Sequence, residues 1–154
     1  GRSGDGLTLL LDTNERIGQD HDVEMVLIVE DDPDIAELLR YGFEHEHFET
    51  RVALTGEEGL RASLDVSRRP SVILLDVLLP GMNGFELCRR LRSESLTRDT
   101  PIVILTAKAF EIDMAKSRSV GANDFITKPF SLRDVVARIR VLLQQSRAGM
   151  TSRS

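Results

Sequence analysis

The chain has 154 residues, 41% apolar, 29% charged and 5% aromatic, and its 20 Lys plus Arg against 25 Asp plus Glu leave a net charge of −5. That length predicts one domain that needs neither metal nor disulfide to build a core, and a single cysteine excludes a disulfide scaffold and fits a reducing, cytoplasmic compartment. The acidic balance argues against direct nucleic-acid binding, no apolar run is long enough for a membrane-spanning helix, and the start lacks the basic-then-apolar order of a signal peptide.

Residues 1–22 are rich in Gly, Asp, Asn, Arg and Ser, with Leu7 to Leu11 as their apolar stretch. They read as a flexible N-terminal extension or linker; the competing reading is a short segment that docks on a partner or on the domain through its leucines. The first residue is not Met, so the chain is expected to be excised from something longer.

From Met25 the pattern alternates. Met25 to Val29 is a continuous branched run, as in a strand buried on both faces (β1). Asp32 and Pro33 supply an N-cap and a first residue for helix α1, in which Ile35, Leu38, Leu39, Gly42 and Phe43 recur at helical spacing up to about Glu46. Residues 48–53 form a shorter, more polar strand, β2, expected at a sheet edge. Thr55 with Glu58 reads as a capping box opening α2 through Leu60 and Leu64. Apolar β3 covers 72–75, and the turn Pro80-Gly81-Met82-Asn83-Gly84 leads into α3, lined by Phe85, Leu87, Cys88 and Leu91. Apolar β4 covers 102–105. Residues 109–120 predict α4, of poor apolar period and stopped by Gly121. Strand β5 is 124–127, and Ser131 with Asp134 opens α5, carrying Leu132, Val135, Val136, Ile139, Leu142 and Leu143. Residues 144–154 are polar and small, as in a linker or frayed tail.

Five βα units predict an α/β fold: a doubly wound five-stranded parallel sheet in a flavodoxin-like three-layer arrangement. Order 2-1-3-4-5 buries the three most apolar strands and opens a crevice outside the strand C-termini beside β1 and β3. The residues there are Glu30, Asp31 and Asp32 after β1, Asp76 after β3, Thr106 after β4 and Lys128 after β5. Facing carboxylates repel, so they must gain protons, a cation or a Lys partner. Hard oxygen ligands on a partly open site favour Mg²⁺, and a hydroxyl and an ammonium supply what a phosphoryl group needs on its other oxygens. The inventory is that of a magnesium-dependent phosphoryl site with a carboxylate acceptor.

Val29-Glu30-Asp31-Asp32, Leu75 to Gly84 with Asp76 inside it, Ile104-Leu105-Thr106-Ala107 and Thr127-Lys128-Pro129-Phe130 resemble the motifs of the receiver domain of two-component response regulators, typified by the bacterial chemotaxis regulator. The resemblance covers about residues 25–145 and places a receiver domain at 23–146, with a C-terminal tail or linker at 147–154. It implies Asp76 as phosphoacceptor and Asp31 with Asp76 as the carboxylate pair on Mg²⁺. Glu30 would act near the metal through water, and the Leu78 carbonyl would complete the protein ligands. Thr106 would close on the phosphoryl group and Lys128 would pair with it. Phe125 would be the switch aromatic, in place of the family's more usual Tyr. A cis Lys128–Pro129 bond is implied as well.

The expected donor is a sensor histidine kinase or phosphotransfer protein, and the expected output is a changed affinity of the α4-β5-α5 surface for a partner or effector. That surface is also a candidate homodimer interface. The weak period of α4 fits an element with two packings. Such a domain is not a classical enzyme, although it assists its own phosphorylation and dephosphorylation. Two further readings are a phosphorelay receiver of a hybrid kinase and an interaction scaffold that works without phosphorylation. A dehalogenase-type phosphatase would need an acid at position 78, which is Leu; a flavodoxin needs a Ser/Thr-rich loop after β1, and a dinucleotide binder a glycine fingerprint there. Cys88 reads as core, His45 and His47 as unsuited to a shared metal, and Arg89, Arg90, Arg92, Arg133, Arg138 and Arg140 as solvated helix faces.

Overall fold

The structure, a computed structural model, describes residues 23–107, 115 and 118–153. Five strands, β1 Met25–Val29, β2 Glu49–Ala53, β3 Val72–Asp76, β4 Ile102–Thr106 and β5 Asp124–Thr127, form one sheet in order β2-β1-β3-β4-β5. Every pairing is parallel. The expected edge strand is at the edge, and all residues of β1, β3 and β4 are buried. Parallel strands bury both faces because their crossover helices cover both. Strands β3 and β4 each extend one residue further than expected, so Asp76 and Thr106 end the strands rather than follow them.

The α/β layering follows from the strand alternation. Leu27, Val29, Ile73, Leu75 and Ile104 face one way and pack with Phe85, Leu87, Cys88 and Leu91 of α3 (Gly84–Ser93). Val26, Ile28, Leu74 and Val103 face the other and pack with Leu39 and Phe43 of α1 (Pro33–His45) and with Val135 and Ile139 of α5 (Leu132–Arg153). Helix α2 (Gly56–Ser63) lies on the α3 side, where Gly59 approaches Val29 and Leu87.

The helix starts are set locally. Asp32 Oδ1 accepts from Asp34 N at 2.9 Å and from Ile35 N at 3.4 Å, with Pro33 in the first turn. Thr55 Oγ1 caps Glu58 N at 3.1 Å, but Glu58 reaches back to Leu54 N at 2.9 Å, one residue before the cap. Asn83 Oδ1 caps Glu86 N at 2.9 Å, and Ser131 Oγ accepts from Asp134 N at 3.3 Å.

Three expectations are corrected. Leu38 is exposed, because it lies to one side of the α1 stripe that Leu39 and Phe43 bury. Helix α5 continues to Arg153 through the stretch expected to fray; Arg147 on it pairs with Glu24 at the start of the sheet. Arg138 and Arg140 are exposed, as expected of solvated helix faces; Arg140 pairs with Glu46 at 2.7 Å and lies over the Phe48 ring, and Arg138 pairs with Asp124 and Asp134.

Arg92 is the largest departure. Its guanidinium turns inward and donates to the carbonyls of Thr97 (3.2 Å), Arg98 (3.0 Å), Thr100 (2.7 Å) and Gly121 (2.8 Å), and to Asn123 Oδ1 (2.8 Å). That oxygen also accepts from Ile102 N at 2.8 Å. One side chain thus satisfies backbone that the loop after α3 leaves open.

Expected α4 lies mostly outside the described residues; Ala115, Arg118 and Ser119 are helical, and Gly121 follows at φ +94°. Its left-handed backbone and the Arg92 Cγ, 3.0 Å from where a Cβ would stand, both favour glycine. Cys88 is buried, its thiol against Val120 O at 3.3 Å, and burial pushes that thiol up to about 11. No described helix is long and apolar enough to cross a membrane.

Candidate functional site

Parallel register brings the strand ends together. Val29 pairs with Leu75, Asp76 with Leu105, and Thr106 with Thr127, so the residues at or just past these positions share one end of the sheet. Glu30 follows β1 with its N–H on Ala53 O at 3.0 Å, and Lys128 follows β5 with its N–H on Thr106 O at 2.6 Å. The Lys128–Pro129 bond is cis, as the resemblance implies. The turn after β3 folds tightly: Gly84 N donates to Val77 O at 2.9 Å, and a Cβ at Gly84 would stand 2.2 Å from Asp76 O. Only glycine lets α3 start that close to the end of β3.

Lys128 Nζ lies 3.2 Å from Asp76 Oδ1 and 3.3 Å from Glu30 Oε1. Glu30 Oε2 accepts from Asp32 N at 3.1 Å, which orients the carboxylate. One carboxylate oxygen from each of Glu30, Asp31 and Asp76 falls within 4.8 Å of the others. Glu30 and Asp76 are buried, while Asp31 is exposed. Thr106, also buried, ends the strand next to Asp76, and neighbouring strands run about 4.8 Å apart. Phe125 is half-buried against the core on the α3 side. Leu78 is 69% exposed beyond the strand end.

The electrostatics are unbalanced. Burial raises the Asp76 carboxyl above the usual carboxylate range; Lys128 opposes this without cancelling it, and Asp31 adds to the rise. Burial likewise raises Glu30, against the pull of the Asp32 N–H and Lys128. For Lys128, burial works downward but the two carboxylates outweigh it, so its ammonium is held more firmly charged. Three carboxylates against one ammonium leave two negative charges in excess when all are ionised. Hard oxygen donors, one side open to water and an excess negative charge fit a small divalent cation such as Mg²⁺.

Glu30, Asp31, Asp76 and Lys128 are therefore brought together from far-apart positions, with Thr106 alongside. Sequence reasoning missed the glycine-dependent closeness of α3 to Asp76; the signal was present in Asn83-Gly84, a cap followed by the smallest residue. It also missed the Arg92–Asn123 clamp at the opposite end of the strands, for which the sequence carries no local signal.

A family model described as the response regulator receiver domain matches residues 26–140. The chain is 41% identical over 123 residues to the DNA-binding response regulator MtrA of Mycolicibacterium smegmatis, covering 80% of this chain and 52% of that protein. It is 38% identical over 128 residues to the phosphate regulon transcriptional regulatory protein PhoB of Rhizobium meliloti, covering 82% and 55%. It thus spans about half the length of the curated relatives it matches. Among solved structures, a CheY-like response regulator receiver domain protein from Methanospirillum hungatei superposes with a TM-score of 0.76 at 28% identity, over 82% of this chain and 98% of that one. The receiver domain of a signal transduction histidine kinase from Syntrophus aciditrophicus superposes with a TM-score of 0.72 at 36% identity, over 80% and 92%. With this fold, this strand-end cluster and a family match across most of its length, the chain belongs to the receiver-domain family of two-component response regulators.

Proposed function

We propose that Asp76 accepts a phosphoryl group from a phosphohistidine on a sensor histidine kinase or phosphotransfer protein. The supporting observation is the contact of Lys128 Nζ with Asp76 Oδ1 at 3.2 Å inside a cluster of three carboxylates. In the transfer, the N–P bond of the donor breaks as an O–P bond forms on the Asp76 carboxylate; hydrolysis later returns the carboxylate and releases inorganic phosphate. Asp31, Asp76 and the Leu78 carbonyl would hold Mg²⁺, with Glu30 acting through water. When bound, the ion supplies charge that offsets repulsion between the carboxylate and the incoming phosphoryl group.

The chain's own residues do the rest. Lys128 pairs with the oxygens of the transferred group, and Thr106 donates its hydroxyl to them as the phosphate adds about −1.5 to −2 charge. Phe125, half-buried and without a hydroxyl, repacks toward the space that Thr106 leaves. The α4-β5-α5 surface then changes its affinity for a partner, an effector or a second copy of the chain, in the cytoplasm. Relatives named as DNA-binding regulators favour control of a DNA-binding effector as the output. The likeness to a histidine kinase's receiver domain supports the relay reading as the alternative.

The test is labelling with acetyl phosphate and Mg²⁺. The wild-type chain is expected to form a hydroxylamine-sensitive phosphoprotein and Asp76→Asn none. Equal labelling of that variant removes Asp76 as the acceptor.

A further inference from the structure

A groove of about 360 Å³ runs between α1 and α5 on the face away from α2 and α3, lined by Tyr41, Gly42, His45, Leu132, Val136 and Arg140. Its floor is tightly closed: a Cβ on Gly42 would stand 2.6 Å from the Leu132 side chain. Its wall is apolar and open to water. Tyr41 is 62% exposed, its ring stacked on His45 at 5.9 Å. The groove plays no part in the strand-end cluster, since it draws on the flanks of the two helices.

The course of the chain points to what covers it. A second cleft, lined by Glu24, Glu46, Phe48, Arg140 and Arg147, adjoins the groove and shares Glu46 and Arg140 with it. Glu24 is tied there by its ion pair with Arg147. The polypeptide that enters the fold at Val23 therefore starts beside the lower end of the groove. Residues 12–22 connect Val23 to Leu7-Thr8-Leu9-Leu10-Leu11. A stretch of that length reaches up to about 36 Å when extended, and averages about 18 Å as a coil. Helix α1, with 13 residues, is about 20 Å long, so the leucines reach any point along it. The connector carries Asp12, Glu15, Asp20 and Asp22 against a single Arg16, while the rim of the groove carries Arg133 and Arg140.

We infer that residues 7–11 of the same chain seat in the α1–α5 groove, their leucines over Tyr41 and Val136 and the acidic connector along the arginines of α5. Tethering places the segment at millimolar effective concentration, so a weak intrinsic affinity is enough to fill the groove.

The composition supplies the reporter. Tyr41 is the single tyrosine and the chain has no tryptophan, so intrinsic fluorescence reads the groove alone. Acrylamide quenching is measured on the full chain, on Leu9→Asp/Leu10→Asp, and on Ala137→Glu at an exposed groove position. Both variants are expected to raise the Tyr41 quenching constant about two-fold, independently of protein concentration, and combining them is expected to add nothing. Equal quenching of wild type and the leucine variant overturns the inference. So does a difference that grows with protein concentration, which assigns the groove to a second copy instead.

Discussion

Lys128 Nζ stands 3.3 Å from Glu30 Oε1, 98 positions away in the chain, almost as close as it stands to Asp76. The ammonium is shared, and Glu30 keeps it oriented by drawing on a carboxylate whose other oxygen is already held by the Asp32 N–H. Replacing Lys128 with Met leaves two buried carboxylates without a cation. Given the partial exposure of the Lys128 head, a loss of about 1–3 kcal/mol is expected by urea unfolding in metal-free buffer. Millimolar Mg²⁺ is expected to raise the melting temperature of this variant more than that of wild type. An equal rise in both would show that lysine and cation do not answer the same excess charge.

Asp76→Asn separates folding from phosphorylation. Burial raises the Asp76 carboxyl, so the ionised form is disfavoured in the folded chain relative to the unfolded one. A neutral amide removes that unfavourable contribution. The variant is expected to melt a few degrees, roughly 2–5 °C, above wild type without metal, and to lose most of the stabilisation by Mg²⁺. A lower melting temperature would mean that the Lys128 pairing outweighs the burial of the charge.

Arg92 tests whether a side chain far from the cluster holds the loops beneath it. Arg92→Ala strips donors from four carbonyls and from Asn123 Oδ1, and is expected to cost about 2–4 kcal/mol in urea unfolding. Arg92→Lys should recover only part of this, since an ammonium lacks the planar fork that spans so many acceptors. Hydrogen exchange at Gly121 and Asn123, whose amides bond Arg118 O and Ile102 O, is expected to accelerate in both variants. Unchanged exchange there would limit the role of Arg92 to the loop at 94–101.

Acid stability should report Asp65. The Ser67 hydroxyl at 2.6 Å, Arg51 at 3.0 Å and the Ser67 N–H at 3.0 Å hold its carboxyl down from 3.8 to about 2. Because the folded value lies below the unfolded one, the stabilisation is complete above pH 3.8 and fades as pH falls toward 2. Urea midpoints of wild type are expected to drop across that window more steeply than those of Asp65→Asn. Parallel curves would remove Asp65 from the acid limb.

Most of the fold was readable in the residues because its signals are local. Branched apolar runs mark β1, β3 and β4; Asp32-Pro33, Thr55 and Ser131 mark helix starts; and the polar run at 48–53 marks an edge. Strand order followed, since burying the three apolar strands leaves few arrangements. From that order the sequence alone also determined that Glu30, Asp31, Asp76, Thr106 and Lys128 share one end of the sheet, because parallel strands all point their C-termini the same way. Tertiary structure alone decided what each charge touches. Lys128 bridges Glu30 and Asp76, Arg92 turns inward where Arg89 on the same helix stays exposed, Leu38 faces water, and α5 runs on past its apolar stripe. Helical spacing gives a side chain its angle around the axis, but the acceptors that draw a long charged side chain in come from loops and strands remote in sequence, and those are placed only once the sheet has assembled.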